Sequence, residues 1–410
     1  MKILIIGNSA AGLSAAGAIR KISPTAGITV ISDEPGAAYS RCLIPEVISG
    51  SRDVTAIGCV APQFYKELGI NLISGKKAIF IKTGSNELFL EDGQSIGYDR
   101  LLIAAGSSPA LPGWPGSDLP GVFTLRKAVQ AAAIGEMARQ CSSAVVEGGG
   151  LVSLKAACAL KKRGVRDVTV LVKSPHLLIR QLDGESAGLV EKSLAGLGIK
   201  FYFGTGIASA EKGPRGAVQS VELEEGGRIP AEIVVVGKGV RPNLELVKSA
   251  GGATGAGISV DEYLQTSLPG IYAAGDCIEV TDFISGRKAV SGLWPLAVEQ
   301  GRAAGCNMAG RPRKYPPPIT RMNSAQFGPT PFISVGDIQG GDDRAVYREP
   351  GVYRKFCFTG GRLTGFIMVG RVDRAGLYTA LIKKSERIAG SLKDRLIDGN
   401  LSGADIIPIK

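Results

Sequence analysis

Short apolar runs that stop at a glycine recur along this chain, and their order sets the expected architecture. Residues 2–7 (KILIIG) are an unbroken apolar run, GNSAAG at 7–12 interrupts it, LSAAGAIRKIS at 13–23 has helical spacing, and ITVISDE at 28–34 is apolar again. Continuous rather than alternating apolar runs mark strands buried on both faces of a parallel sheet, so this order predicts a βαβ unit. Residues 34–50 read as a loop and 63–69 (QFYKELG) as helix-like. INLISG (70–75), KAIFIKT (77–83) and ELFLED (87–92) read as short strands, closed by the apolar run DRLLIAAGSSP at 99–109. A second module echoes the first: SSAVVEGGG (142–150) as strand and turn, LVSLKAACALKKRG (151–164) as a helix ending in Gly164, and DVTVLVK (167–173) as a strand. IKFYFG (199–204) and residues 218–224 continue it as strands. AEIVVVGKGVRPN (231–243) and GIYAAGDC (270–277) are two further apolar strands ending in glycine, before a helix around 293–310.

After Met308 the pattern changes. RPRKYPPPIT (311–320) is a Pro-rich basic linker, followed by strands at FISVGDI, GVYRKFCFTG and RLTGFIMVG and a helix at AGLYTALIKKSE. The expected fold class is α/β, with two Rossmann-like three-layer nucleotide-binding domains plus a small α+β C-terminal domain.

Composition narrows the chemistry. A chain of 410 residues, 44% hydrophobic, is too long for one small core. Its 57 glycines follow no collagen period and gather where apolar runs end, and 21% charged residues argue against disorder. The apolar runs are too short for a membrane span, and the first enters a glycine turn rather than a cleavage site, so a cytoplasmic protein is the default expectation. The seven cysteines show no CxxC or CxxxxC pairing, and His176 is the single histidine, so neither a metal site nor a histidine-based triad is expected. The net charge of +11 has two readings: a solvated basic surface, or attraction for an acidic partner protein. The basic residues are dispersed, with no basic tail, which speaks against nucleic acid.

The turn at 7–12 is the first candidate site. Gly7 permits a tight turn, Ser9 lets backbone approach phosphates, and Gly12 allows close helix–strand packing. Together with Ala10 and Ala11 they place a helix N-terminus against a pyrophosphate. Asp33 and Glu34 end the next strand, where a ribose-binding carboxylate belongs. The alternative is a Rossmann-like unit that holds no nucleotide.

Taken with LLIAAGSSP, GIYAAGDC and LWPLAVEQGRAAG, in that order, the chain resembles the FAD-dependent pyridine nucleotide–disulfide oxidoreductase superfamily from Met1 to about Gly310. Within it, the resemblance is to the branch of rubredoxin and ferredoxin reductases and the flavin part of nitrite reductases. The resemblance implies FAD and NAD(P)H as cofactors. It implies an FAD-binding domain in two parts, 1–109 and 237–314, an NAD(P)-binding domain at 110–236, and a C-terminal interface domain at 315–410 that supports a homodimer. It places Asp276, with Gly275, on the flavin ribityl chain, and Ala105 and Gly106 in the segment crossing between domains. Leu293 and Trp294 fall at the helix end facing the isoalloxazine, where the helix dipole favours negative charge.

GGGLVSLKAA resembles the family's NAD fingerprint. Gly148, Gly150 and Ser153 stand at its small-residue positions, and Leu151, Val152, Lys155, Lys173 and Gly239 are further candidates for NAD(P) contact. Three positions depart from the pattern. The family usually has Glu where Lys155 stands and an apolar residue where Glu147 stands, which suggests a Glu147–Lys155 ion pair; in the other reading Lys155 points to water. Val172 and Lys173 end a strand that in NAD-preferring relatives carries an acid, so Lys173, Ser174 and His176 are expected to favour a 2′-phosphate slightly.

The loop YSRCLIPEVISG is ambiguous. Tyr39 and Arg41 fit the YxR pattern of the electron-transfer branch, placing Arg41 beside the flavin. Cys42 instead resembles the single redox cysteine of coenzyme A–disulfide reductases and NADH oxidases; alternatively it is a small apolar residue under the flavin. Cys59, Cys141, Cys158, Cys277, Cys306 and Cys357 read as structural. Three functions follow: an electron-transfer reductase serving an acidic iron–sulfur or rubredoxin-like protein; a reductase or oxidase using Cys42 on a disulfide, persulfide or dioxygen; and a non-enzymatic flavin subunit with a degenerate nicotinamide site.

Overall fold

A computed structural model describes residues 1–61, 63–388, 390–400 and 402. The chain forms two compact units, one of Met1–Ser40, Val54–Ser108 and Val240–Thr320, the other of Arg41–Asp53, Pro109–Gly239 and Arg321–Lys410.

In the first unit, the apolar runs assemble as a parallel sheet ordered Ile271–Ala273, Arg100–Ile103, Lys2–Ile6, Gly27–Ser32, Ile70–Ser74. Ile3, Ile5, Val30, Ile31, Leu101 and Leu102 are wholly buried in it, which is why these strands carry no polar alternation. The helix Ala10–Ile22 packs along the helix Trp294–Met308. A Cβ on Gly301 would lie 2.0 Å from the Ala11 carbonyl oxygen, and one on Gly305 would lie 2.5 Å from that of Ala15. Gly301 and Gly305 of GRAAG are therefore packing requirements, whereas Gly17 of the first helix faces open space.

In the second unit, the parallel sheet is ordered Ile199–Phe203, Asp167–Val172, Ser143–Glu147, Ile233–Val236, Val122–Thr124. Residues 218–224 form a strand, as expected, but outside this sheet. Val218–Leu223 pairs antiparallel with Ile207–Lys212 and Arg228–Pro230 in a separate small sheet; exposed Gln219 and half-buried Glu222 interrupt its buried positions, unlike the wholly buried parallel strands. The C-terminal strands form an antiparallel sheet ordered Met322–Phe327, Thr330–Gly336, Arg362–Val369, Val352–Thr359, Asp343–Glu349, with helix Ala375–Lys384 packed on it. The fold is α/β, with two Rossmann-like parallel sheets and an antiparallel C-terminal sheet.

The stretch expected as a loop at 34–50 is partly helical. A 3-10 turn, Arg41–Leu43, leads into the helix Ile44–Ser49, which has Pro45 in its first turn and ends at Gly50 with φ +73°. Proline at the start and a left-handed glycine at the end are the ordinary boundary signals of a short helix.

Candidate functional site

The first glycine turn is closed by backbone. Gly7 has φ +116°, and a Cβ there would stand 2.1 Å from the Ala104 carbonyl oxygen; on Gly12 it would stand 2.0 Å from that of Gly7. No side chain fits at either position. Helix Ala10–Ile22 starts from Ser9 in extended backbone, with no side-chain capping bond and no acid in its first turn. Its first N–H groups thus lack an internal acceptor, the arrangement that receives a pyrophosphate.

The other candidates of the first unit surround this turn on neighbouring strand ends. Gly106 and Gly275 both take positive φ, +67° and +88°. Ser107 Oγ donates to Asp276 Oδ2 at 3.3 Å, and Asn243 Nδ2 donates to the Ala105 carbonyl at 2.8 Å. Leu293 precedes the helix Trp294–Met308 in extended backbone, again with no side-chain cap. Asp33 is exposed, whereas Glu34 is half-buried and accepts from the Tyr39 hydroxyl.

Sequence reasoning missed three residues here. Gln300, 1% exposed, accepts the Gly275 N–H at 2.8 Å. Asn243 holds the crossing segment. Tyr65 donates to Asn8 Oδ1 at 2.8 Å and accepts from the Ala38 N–H at 3.0 Å, tying the first glycine turn to the loop after Glu34. Polar side chains placed by tertiary structure carry no spacing signature. This cradle of uncapped helix starts, closed glycines and one carboxylate on each side fits a dinucleotide such as FAD.

In the second unit, Gly148 has φ +121°, and a Cβ there would meet Gly237 O at 2.6 Å. Ser153 is wholly buried and does more than substitute for glycine: its hydroxyl donates to Gly237 O at 3.3 Å, joining two strand ends. Gly150 starts the helix Leu151–Arg163 in extended backbone with no side-chain cap, and Val152 in its first turn is exposed. Gly239, with φ +96°, has open space where its Cβ would be.

The expected Glu147–Lys155 ion pair is absent. Glu147, 2% exposed, binds Lys238 Nζ at 2.6 Å and accepts from Trp114 Nε1 at 3.2 Å and the Ile207 N–H at 3.1 Å. Lys155 donates to the Gln326 carbonyl at 3.0 Å and lies over the Phe327 ring, so it does not point simply to water either. The carboxylate is drawn inward because two buried N–H groups there need an acceptor.

Lys173 is also engaged. Its Nζ lies 2.9 Å from Glu224, whose hydrogen bond raises the Lys173 pKa above the ordinary lysine value. Ser174 donates to the His176 carbonyl, and His176 Nδ1 lies 2.9 Å from Leu177 O, so both hold their own loop. A Cβ on Gly206 would meet Glu147 Oε1 at 3.1 Å and Glu224 Cδ at 3.3 Å. The two carboxylates therefore flank Gly206, each with its lysine, at the carboxyl ends of the parallel strands where ligands bind in such sheets.

Arg41 and Cys42 fall in this second unit. Arg41 Nη1 donates to the Arg126 carbonyl at 2.8 Å, and Cys42 is exposed. Of the other cysteines, Cys277 and Cys357 are buried and Cys141, Cys158 and Cys306 half-buried. Cys59 is exposed, so an apolar packing role does not describe it. Burial pushes the Cys277 thiol up to about 12 and Cys158 to about 11, which keeps both protonated. No group of three or more candidate metal ligands occurs among the described residues, and no described helix is long and apolar enough to cross a membrane.

Residues 1–301 match the family described as pyridine nucleotide-disulphide oxidoreductase. An NADH oxidase of Methanocaldococcus jannaschii is 37% identical over 353 residues, covering 83% of this chain and 75% of that protein. A rhodocoxin reductase of Rhodococcus erythropolis is 32% identical over 377 residues, covering 90% and 87%. Among solved structures, an NAD-dependent persulfide reductase from A. fulgidus superposes with a TM-score of 0.90 at 29% identity, covering 100% of this chain and 81% of that one.

Proposed function

Because the chain belongs to the pyridine nucleotide-disulphide oxidoreductase family, we propose that it is an NAD(P)H-dependent reductase that passes electrons to an acidic iron–sulfur or rubredoxin-like protein. It is an oxidoreductase, and FAD and NAD(P)H are its cofactors. The chemistry they supply when bound is hydride transfer between nicotinamide C4 and flavin N5, with electrons then leaving for an acceptor. The protein's own part is positioning and electrostatics. The backbone of Ser9, Ala10 and Ala11 at the closed turn holds the FAD pyrophosphate, Glu34 the adenosine ribose and Asp276 the ribityl chain. The uncapped start of the helix at Trp294 favours negative charge beside it. The turn at Gly148–Gly150 holds the second nucleotide's pyrophosphate in the same way.

One observation carries the choice of partner. Arg139, Lys162 and Arg163, with Ser49, line an open cavity of about 510 Å³ in a chain of net charge +11. Arg163 is fixed there by donating to the Gly135 carbonyl at 3.0 Å. Glu136 lies 3.5 Å from Arg139 and offsets part of this charge; the cationic surplus that remains steers an acidic protein and makes its association salt-sensitive. Reversing Arg139 and Lys162 to Glu is expected to raise KM for a plant-type ferredoxin by about tenfold while flavin reduction by nicotinamide is unchanged. An unchanged KM contradicts the placement.

A second reading rests on Cys42. Its thiol is exposed, and persulfide reduction is the stated activity of the superposed A. fulgidus protein. Under this reading Cys42→Ser abolishes turnover with a disulfide or persulfide; under the first it leaves transfer to a carrier protein nearly intact.

A further inference from the structure

Alternate residues of the strand Val352–Thr359 face opposite sides of the C-terminal sheet. Tyr353 and Lys355 turn to one side, where both bind the Asp183 carboxylate, at 2.7 and 3.0 Å. Arg354 and Phe356 turn to the other, where the Phe356 ring meets Tyr378 of the helix Ala375–Lys384 edge-on. The two buried cations of this strand are thus treated differently: Lys355 binds a carboxylate directly, whereas Arg354 makes no ion pair or hydrogen bond among the described residues and feels Glu349 only at a distance. Arg354 is 4% exposed, yet its Nε has no hydrogen-bond partner, and its side chain meets no acceptor among the described residues.

What surrounds the guanidinium does not satisfy it. The Tyr347 ring lies 5.7 Å from Cζ, and a ring face attracts a cation without replacing a hydrogen-bond acceptor. Glu349, the neighbouring carboxylate, is already bound by Tyr347 and Arg371. The Gly399 carbonyl accepts from Arg374. Gly399 itself comes so close that a Cβ there would lie 2.0 Å from Arg354 Nη1. The Tyr378 hydroxyl, wholly buried, also has no partner, and it lies in the field of two cations, Arg354 and Arg374, opposed by one carboxylate, Asp373.

The Nε–H of a buried arginine and a buried phenol without acceptors are each costly, and both are donors on one side of the sheet. The planar donor fork of arginine matches carboxylate and phosphate oxygens. We propose that Arg354 and Tyr378 form a binding site for a small oxyanion, of carboxylate or phosphate type, beneath the turn at Gly399. The anion accepts from the guanidinium and the Tyr378 hydroxyl, with Arg374 adding positive field.

The test follows the unfolding midpoint of the FAD-loaded protein in chloride buffer while inorganic phosphate, or separately acetate, is titrated at constant ionic strength. A saturable rise with at least one anion is expected in the wild type. Arg354→Met should abolish that rise and, in chloride alone, unfold at or above the wild-type midpoint, because it removes a buried N–H that has no acceptor. Tyr378→Phe should weaken the apparent affinity severalfold. No saturable rise with either anion, or the same rise in Arg354→Met, overturns the site. Should Arg354→Met fail to accumulate folded, Tyr378→Phe decides alone: an unchanged anion affinity overturns it.

Discussion

Single side chains decide how the two nucleotide turns are held, and two of them make sharp predictions. Tyr65 bridges Asn8 and Ala38, so it orders the first glycine turn and the Glu34 loop together. Tyr65→Phe removes the donor to Asn8 and the acceptor for Ala38; losing about 1.4 kcal/mol raises the FAD dissociation constant about tenfold. Fluorescence titration of the apoprotein with FAD measures this, and an unchanged constant contradicts the bridging role. In the second unit, Glu224 holds Lys173. Glu224→Gln frees that cation for a 2′-phosphate and should shift the ratio of kcat/KM toward NADPH over NADH by about two- to fivefold, the scale of an exposed ion pair. A shift toward NADH contradicts it. At this scale the sequence was partly legible. Gly7, Gly12 and Gly148 announce themselves because backbone conformation and close approach demand glycine. Gln300, Asn243 and Tyr65 do not, because their partners lie far along the chain. The charge pattern misled for the same reason: Glu147 and Lys155 are near in sequence, but the partners that need them, Lys238, Trp114 and Gln326, are not.

Elements were read more surely where one signal dominated. Unbroken apolar runs gave the parallel strands, since burial on both faces removes polar positions. Residues 218–224 have polar Gln219 and Glu222 within the run instead, and Val218–Leu223 belongs to a separate antiparallel sheet. Helix Ile44–Ser49 is not legible from periodicity, because six residues are too few to show it, although its proline and glycine boundaries are present. The helix Gly184–Gly196 also shows how an element is anchored. Asp183 caps it, accepting from the Ser186 N–H at 3.1 Å, and binds Tyr353 and Lys355 on the C-terminal sheet. Burial alone would raise the Asp183 pKa, but the hydrogen bonds from Ser186, Tyr353 and Lys355 outweigh it and hold the group below the ordinary aspartate value. A lowered folded pKa gives stability that is complete above the unfolded value and lost as pH falls through the folded one. Asp183→Asn should therefore cost about 1.5–3 kcal/mol at neutral pH. The gap should close as pH drops below about 4, the unfolded aspartate range. Urea unfolding across a pH series checks this; a gap independent of pH contradicts it.

At the scale of the whole molecule, charge and cofactor chemistry meet. The formal +11 of the chain includes the cations of the cavity at Arg139, Lys162 and Arg163, and the same residues that make the surface basic make any acidic partner's approach sensitive to salt. Composition alone left that charge open between a solvated surface and a partner; the cavity favours the partner. The most direct measurement mixes the FAD-loaded protein anaerobically with NADH or NADPH, then with a plant-type ferredoxin at increasing ionic strength. The account predicts that at least one nucleotide bleaches the flavin absorbance, that the following electron transfer slows steeply as salt rises, and that Cys42→Ser keeps both phases. Bleaching by neither nucleotide, a second phase indifferent to salt, or its loss in Cys42→Ser would contradict the account.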